Sequence, residues 1–161
     1  MKDKDDAVAS VSRTIRAPAE RLFAVLADPA KHPGIDGSGM LRESSDPAIS
    51  GVGDEFTMKM YHANRGDNET TNHVVEYVLN RRIGWEPVIS AVSRPEQEAD
   101  IGTPMRHRWV FELTAAGQDS TVVTETYDCS RSPEWMREKG ASRWVPAMST
   151  TLEKLDECTV V

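Results

Sequence analysis

Asp54-Glu55-Phe56-Thr57-Met58-Lys59-Met60-Tyr61-His62 alternates without a break. Phe56, Met58, Met60 and His62 fall on one side of an extended chain, and Glu55, Thr57, Lys59 and Tyr61 on the other. Successive side chains of a β-strand point to opposite faces, so this pattern is that of a strand with one face in a core and one in water. Outward from it, Ala63 to Glu69 has turn chemistry, and Thr70 to Leu79 follows as the hairpin partner. A register that sets His62 opposite His73 adds Val75, Tyr77 and Leu79 to the methionine face. A slip of one residue substitutes Asn72, Val74, Glu76 and Val78.

The same period continues toward the C-terminus. Arg82 to Glu86 carries Ile83 and Trp85. Met105 to Leu113 and Thr121 to Cys129 form a second hairpin across Ala115 to Asp119, with Met105, His107, Trp109, Phe111 and Leu113 on one face. In its second strand both faces are mixed: Val122, Thr124, Thr126 and Asp128 on one, Val123, Glu125 and Tyr127 on the other. Glu125 facing inward is costly unless it pairs with Arg106 or Arg108, and a surface ion pair is the expected reading. Pro87 to Pro104 reads as a long polar connection.

Toward the N-terminus, Met40 to Ser44 is a short strand and Val8 to Ile15 another. Between them Pro18, Glu20, Leu22, Val25 and Leu26 mark a helix that Asp28-Pro29 stops. A second short helical turn covers Pro29 to Ile35 and leads into His32-Pro33-Gly34-Ile35-Asp36-Gly37-Ser38-Gly39. Its glycine spacing is wrong for a dinucleotide site, and it is expected to be a mobile loop. Ser132-Pro133-Glu134 opens a C-terminal helix that is predicted to run to about Cys158, roughly 39 Å. Met136, Gly140, Trp144, Met148, Leu152 and Leu155 stripe one face of it, and Pro146 is predicted to bend it.

These elements predict an α+β fold: a seven-stranded curved antiparallel sheet, two short helices and one long C-terminal helix. With 161 residues, the expectation is a single domain over 1–161, with 1–6 a disordered tail. One helix about 10 Å wide does not fill the hollow of a curled sheet, so the leftover volume holds either large side chains or an apolar ligand.

Composition narrows the function. A net charge of −7 repels polyphosphate, which argues against nucleic acid as a partner. No apolar run approaches the ~18 residues of a membrane span, and the charged start lacks a secretory signal, so a cytoplasmic location is expected. Cys129 and Cys158 are then expected as free thiols. No metal-ligand, nucleophile-elbow or phosphate-loop spacing appears, so neither metal nor cofactor is expected.

The strand and helix around Ala17-Pro18-Ala19-Glu20-Arg21-Leu22-Phe23, the loop from His32 to Gly39, Gly51-Val52-Gly53-Asp54, Arg81-Arg82-Ile83-Gly84-Trp85 and the terminal helix together resemble the SRPBCC superfamily. Trp109 to Thr114 and Thr121 to Asp128 look most like its polyketide cyclase/dehydrase-like members. The resemblance implies a START-like helix-grip fold, which serves lipid transfer, ring closure and Aha1-like chaperone cofactors with different cavity chemistries.

On that architecture Phe56, Met58, Met60, Tyr77, Trp85, Trp109, Phe111, Trp144 and Met148 are the candidate ligand-binding wall, thioethers and indoles being adaptable apolar surfaces. The partner this implies is a hydrophobic small molecule, lipid or polyketide-like, without membrane insertion, and a homodimer is left open. The enzyme alternative is a polyketide aromatase/cyclase in which His107, sharing the face of Trp109 and Phe111, or Tyr127 moves protons in an aldol-type ring closure. A third alternative is an Aha1-like chaperone or regulatory partner. His62 and His73 are a further candidate pair if the first register holds.

Overall fold

Alternation along seven strands builds one antiparallel sheet in the order β1-β7-β6-β5-β4-β3-β2. A computed structural model describes residues 6–159, with β1 over Val8–Ile15, α1 over Ala19–Leu26, α2 over His32–Ile35 and β2 over Leu41–Glu43. The wall of the sheet is β3 (Glu55–His62), β4 (Gly66–Val78), β5 (Arg82–Val92), β6 (Arg108–Ala115) and β7 (Thr121–Asp128). Two helices follow, α3 (Glu134–Arg137) and α4 (Val145–Thr159). This is the helix-grip plan. None of the described helices is long and apolar enough to cross a membrane.

The first hairpin takes neither predicted register. Gly66 adopts φ +73°, a left-handed conformation that glycine tolerates, so the chain reverses within Ala63 to Arg65 and Asp67, Asn68 and Glu69 join β4. His62 therefore faces Gly66, and His73 faces Glu55. The two histidines lie at opposite ends of the ladder and form no pair. A register shift between Val74 and Glu76 then flips the parity of β4. Asn72 and Val74 point into the concave face before it, and Tyr77 packs on the core after it, edge-on to Phe23 at 5.4 Å.

β5 takes in the first third of the predicted connection, from Pro87 to Val92. Beyond Trp85 it pairs with β4 alone, and that open edge tolerates Pro87, which has no N–H to donate. A short 3-10 turn at Pro95–Asp100 completes the segment.

The predicted long helix is divided. α3 stops at Arg137, and Gly140, at φ +81°, leads into a 3-10 turn, Ala141–Trp144, that precedes α4. Pro146 then sits in the first turn of α4, where a missing N–H costs nothing, so it starts the helix and does not bend it. At 15 residues, α4 is about 22 Å long. Of the predicted disordered tail, residues 1–5 lie outside the described residues, but Asp6 is anchored. Its carboxylate accepts from Ser142 N at 3.0 Å and from Ser142 Oγ at 2.6 Å, and its carbonyl accepts from Ala141 N at 2.9 Å.

Leu22, Phe23 and Leu26 of α1 meet Leu152 and Leu155 of α4 and Ile83, Phe111, Leu113 and Val123 of the sheet in one core cluster. The core thus occupies the end of the hollow nearest α1. The loop expected to be mobile is docked there. Gly37 N donates to Thr151 Oγ1 at 2.9 Å, and Lys154 Nζ donates to Asp36 O at 3.1 Å.

Candidate functional site

Against this core the concave face and the start of α4 border a cavity of about 310 Å³, at the lower end of the range of small-molecule sites. Phe56, Met58 and Met60 of β3 line it together with Trp85 of β5 and Trp109 and Phe111 of β6. Trp144 and Met148 close it from the helical side, and His107 lies in its wall just before β6. Tyr77 and Tyr127 are outside the lining: Tyr77 sits in the α1 core, and Tyr127 is fully buried behind Trp109.

Ring contacts hold the wall in place. Trp85 stacks on His32 at 5.1 Å and meets Phe56 edge-on at 5.3 Å. Trp109 meets Trp144 edge-on at 5.3 Å, a preferred aromatic geometry. Trp135 and Met136 of α3, with Lys139 and Arg143 just after it, also border the cavity. Trp135 is exposed, with the Lys139 ammonium 5.1 Å over its ring.

Polar groups on the inner face are few and mostly committed to one another. Asn72 Nδ2 donates to Phe56 O at 3.3 Å and Thr70 Oγ1 at 3.2 Å. His32 is buried, its Nε2 lies 2.7 Å from Leu26 O, and burial lowers its pKa. His107 Nδ1 and the Tyr127 hydroxyl share a hydrogen bond of 2.9 Å. Burial, with a smaller contribution from Arg143, pushes the His107 pKa down to about 4. Burial likewise pushes Tyr127 up to about 12. Both groups are therefore neutral at pH 7.

Glu125 is the exception. The inner face of β7 is Thr121, Val123, Glu125 and Tyr127, because Thr124 and Thr126 face outward to hydrogen-bond Ser12 and Ser10 of β1 at 2.7 and 2.8 Å. Glu125 is 5% exposed, lines the cavity, and its Oε1 has no hydrogen-bond partner among the described residues. The expected surface ion pair does not form: Arg108 is on the outer face, bonded to Glu86 at 2.9 Å and 3.5 Å from Glu76. Burial, and then the Asp36 carboxylate, push the Glu125 pKa up to about 8.

The candidate ligand-binding wall left out His32, the Asn68, Thr70 and Asn72 row, Ile89 and Met105, all of which border the cavity. The signal available for the row was the slipped register of β4. No group of three or more His, Cys, Asp or Glu able to hold a metal occurs among the described residues.

A curved antiparallel sheet gripping a helix over an apolar hollow defines the helix-grip class. Residues 6–157 match the family described as polyketide cyclase/dehydrase and lipid transport, and the chain belongs to that family. An uncharacterised protein of Mycobacterium tuberculosis is 32% identical over 121 residues, which are 73% of this chain and 46% of the relative. The chain thus spans about half the length of the curated relatives it matches. A solved structure from Mycobacterium smegmatis, protein Ms6760, aligns over 99% of this chain and 94% of its own, with TM-score 0.70 and 14% identity. The Aha1 dimer of Colwellia psychrerythraea aligns over 94% of both chains, with TM-score 0.56 and 18% identity. At such identities these likenesses concern the fold.

Proposed function

We propose that this chain binds a hydrophobic small molecule, lipid or polyketide-like, in the cavity between its sheet and α4. The observation that carries this reading is the cavity of about 310 Å³ walled by methionine and aromatic side chains. Thioethers repack around varied shapes and indoles offer flat apolar contact, so the wall suits a compact apolar guest. The test is native mass spectrometry of the purified protein, with extraction of any co-purifying compound, repeated on Trp109→Ala. Truncating this wall residue costs about 3–5 kcal/mol of stability and weakens retention of the guest. Retention equal to that of the unmodified protein refutes the reading.

A second reading, ring closure on a polyketide, is supported by His107 in the cavity wall beside the Tyr127 hydroxyl. A base with a pKa of about 4 removes protons inefficiently at pH 7, which ranks binding ahead of catalysis. An Aha1-like role has support from the fold alone.

A further inference from the structure

We propose that the Glu125 carboxyl hydrogen-bonds a carbonyl oxygen of the guest, so that the cavity selects an uncharged, mostly apolar compound bearing a ketone. This rests on the proposed apolar binding and adds the chemistry of the guest's polar end.

The argument begins with an unsatisfied group. A buried polar atom without a partner costs about 1–3 kcal/mol, and such atoms are scarce in folded proteins. Glu125 Oε1 is one, and it belongs to a residue that lines the cavity. Several polar groups of the same lining are already committed, Trp144 Nε1 being an exception. The β-ladder neighbours of Glu125 are Phe111 on β6 and Val11 on β1, neither of which has a polar side chain. Elsewhere on the lining, Thr151 Oγ1 accepts from Gly37 N at 2.9 Å and donates to Ala147 O at 3.0 Å. The Asp36 carboxylate accepts from the amides of Ser38 and Leu41, each at 3.0 Å, and from Ser38 Oγ. Along the same wall, the His107 and Tyr127 polar groups are bonded to each other. No described side chain pairs with Glu125 Oε1, and the cavity it borders gives a guest access to it.

Charge decides which molecule. A carboxylate guest at this point meets the Asp36 carboxylate and loses its hydration. A cationic guest meets the like charges of Lys139 and Arg143, which border the cavity. Glu125 is a neutral acid at pH 7, because burial holds its pKa at about 8, and so it carries a proton to donate. A carbonyl oxygen accepts a hydrogen bond from that O–H and brings no charge into the hollow.

The probes are tetralin and 1-tetralone, bicyclic compounds of similar size that differ by one carbonyl. Calorimetric titration of the purified chain at pH 6.5 is expected to show 1-tetralone binding about fivefold to tenfold more tightly than tetralin, the ratio of one net hydrogen bond. Glu125→Met, close in size and without a strong donor, brings the two affinities within about twofold, whereas Glu125→Gln, which retains an N–H donor, keeps most of the preference. The infrared carbonyl band of bound 1-tetralone shifts to lower frequency in the unmodified protein and returns in Glu125→Met. Equal binding of both probes by the unmodified protein overturns the role of Glu125 and leaves the apolar cavity standing. Failure of both probes to bind overturns both readings. A preference that survives in Glu125→Met puts the donor elsewhere, at the buried and unpartnered Trp144 Nε1, and overturns the proposal.

Discussion

Replacing Glu125 by glutamine removes a titration from the interior and leaves the shape of the cavity almost unchanged. In the folded chain the carboxyl pKa is raised from 4.5 to about 8. Below pH 4.5 the acid is neutral in both folded and unfolded states, and its burial carries no ionisation cost. Between pH 4.5 and 8 the unfolded chain releases the proton and the folded chain keeps it, so stability falls as pH rises. Above pH 8 both states are ionised and the loss is complete. At about 1.4 kcal/mol per pH unit the full loss is roughly 5 kcal/mol. This is an upper bound, since water in the cavity solvates part of the charge. Glu125→Gln escapes this loss. Urea unfolding of both proteins from pH 5 to 9 is expected to give nearly equal stabilities at pH 5. The advantage of the variant then grows to several kcal/mol by pH 8 and levels off above it. Other titrating groups are common to both proteins and cancel in the difference. A difference that stays flat across this range refutes a buried, neutral Glu125.

The buried histidines act in the opposite direction. His107, lowered from 6.5 to about 4 by burial, contributes stability above pH 6.5 that is lost as pH falls toward 4, and His107→Gln is expected to remove about 2–3 kcal/mol of acid sensitivity in unfolding at pH 4.5 and 7, while His32, lowered in the same sense, keeps the remainder. At Gly37 a Cβ would collide with the Ala147 carbonyl oxygen and lie 2.8 Å from Thr151 N. Gly37→Ala is expected to cost at least about 1–3 kcal/mol in a thermal melt and to speed hydrogen exchange at the amide of residue 37, now bonded to Thr151. Unchanged exchange there would show that the loop is not docked on α4.

The elements that were legible in the sequence are those whose two faces differ in polarity. β3 and β6 carry apolar and polar side chains on opposite sides, and their inward residues were readable from period two alone. β4 was not, because a bulge between Val74 and Glu76 changes its parity midway, and no residue pattern announces a bulge. β7 was ambiguous because threonines occupy one face and Glu125 and Tyr127 the other. Its facing follows from β1, where Ser10 and Ser12 present hydroxyls to Thr126 and Thr124, a relation between strands more than a hundred residues apart. The division of the C-terminal helix was hidden in another way. Met136, Gly140, Trp144 and Met148 keep helical spacing across the break, and the left-handed Gly140 that interrupts them looks like one more small residue on the stripe. What stabilises the interruption is the Asp6 carboxylate on Ser142, again a long-range contact.

That interruption also explains why the cavity lies where it does. A continuous helix from Pro133 would have laid backbone along the whole hollow and filled it with aliphatic side chains, as Leu152 and Leu155 fill the α1 end. Because α4 begins only at Val145, α3 and a 3-10 turn border the remaining gap, and Trp144 of that turn meets Trp109 of the sheet edge-on. Long flat side chains span distance without filling volume, so the gap they bridge stays open. Glu125 borders that gap from β7, and its Oε1 finds no hydrogen-bond partner among the described residues. Apolar wall and unpaired acid thus border one gap. A guest that meets both needs an apolar body and a single neutral acceptor.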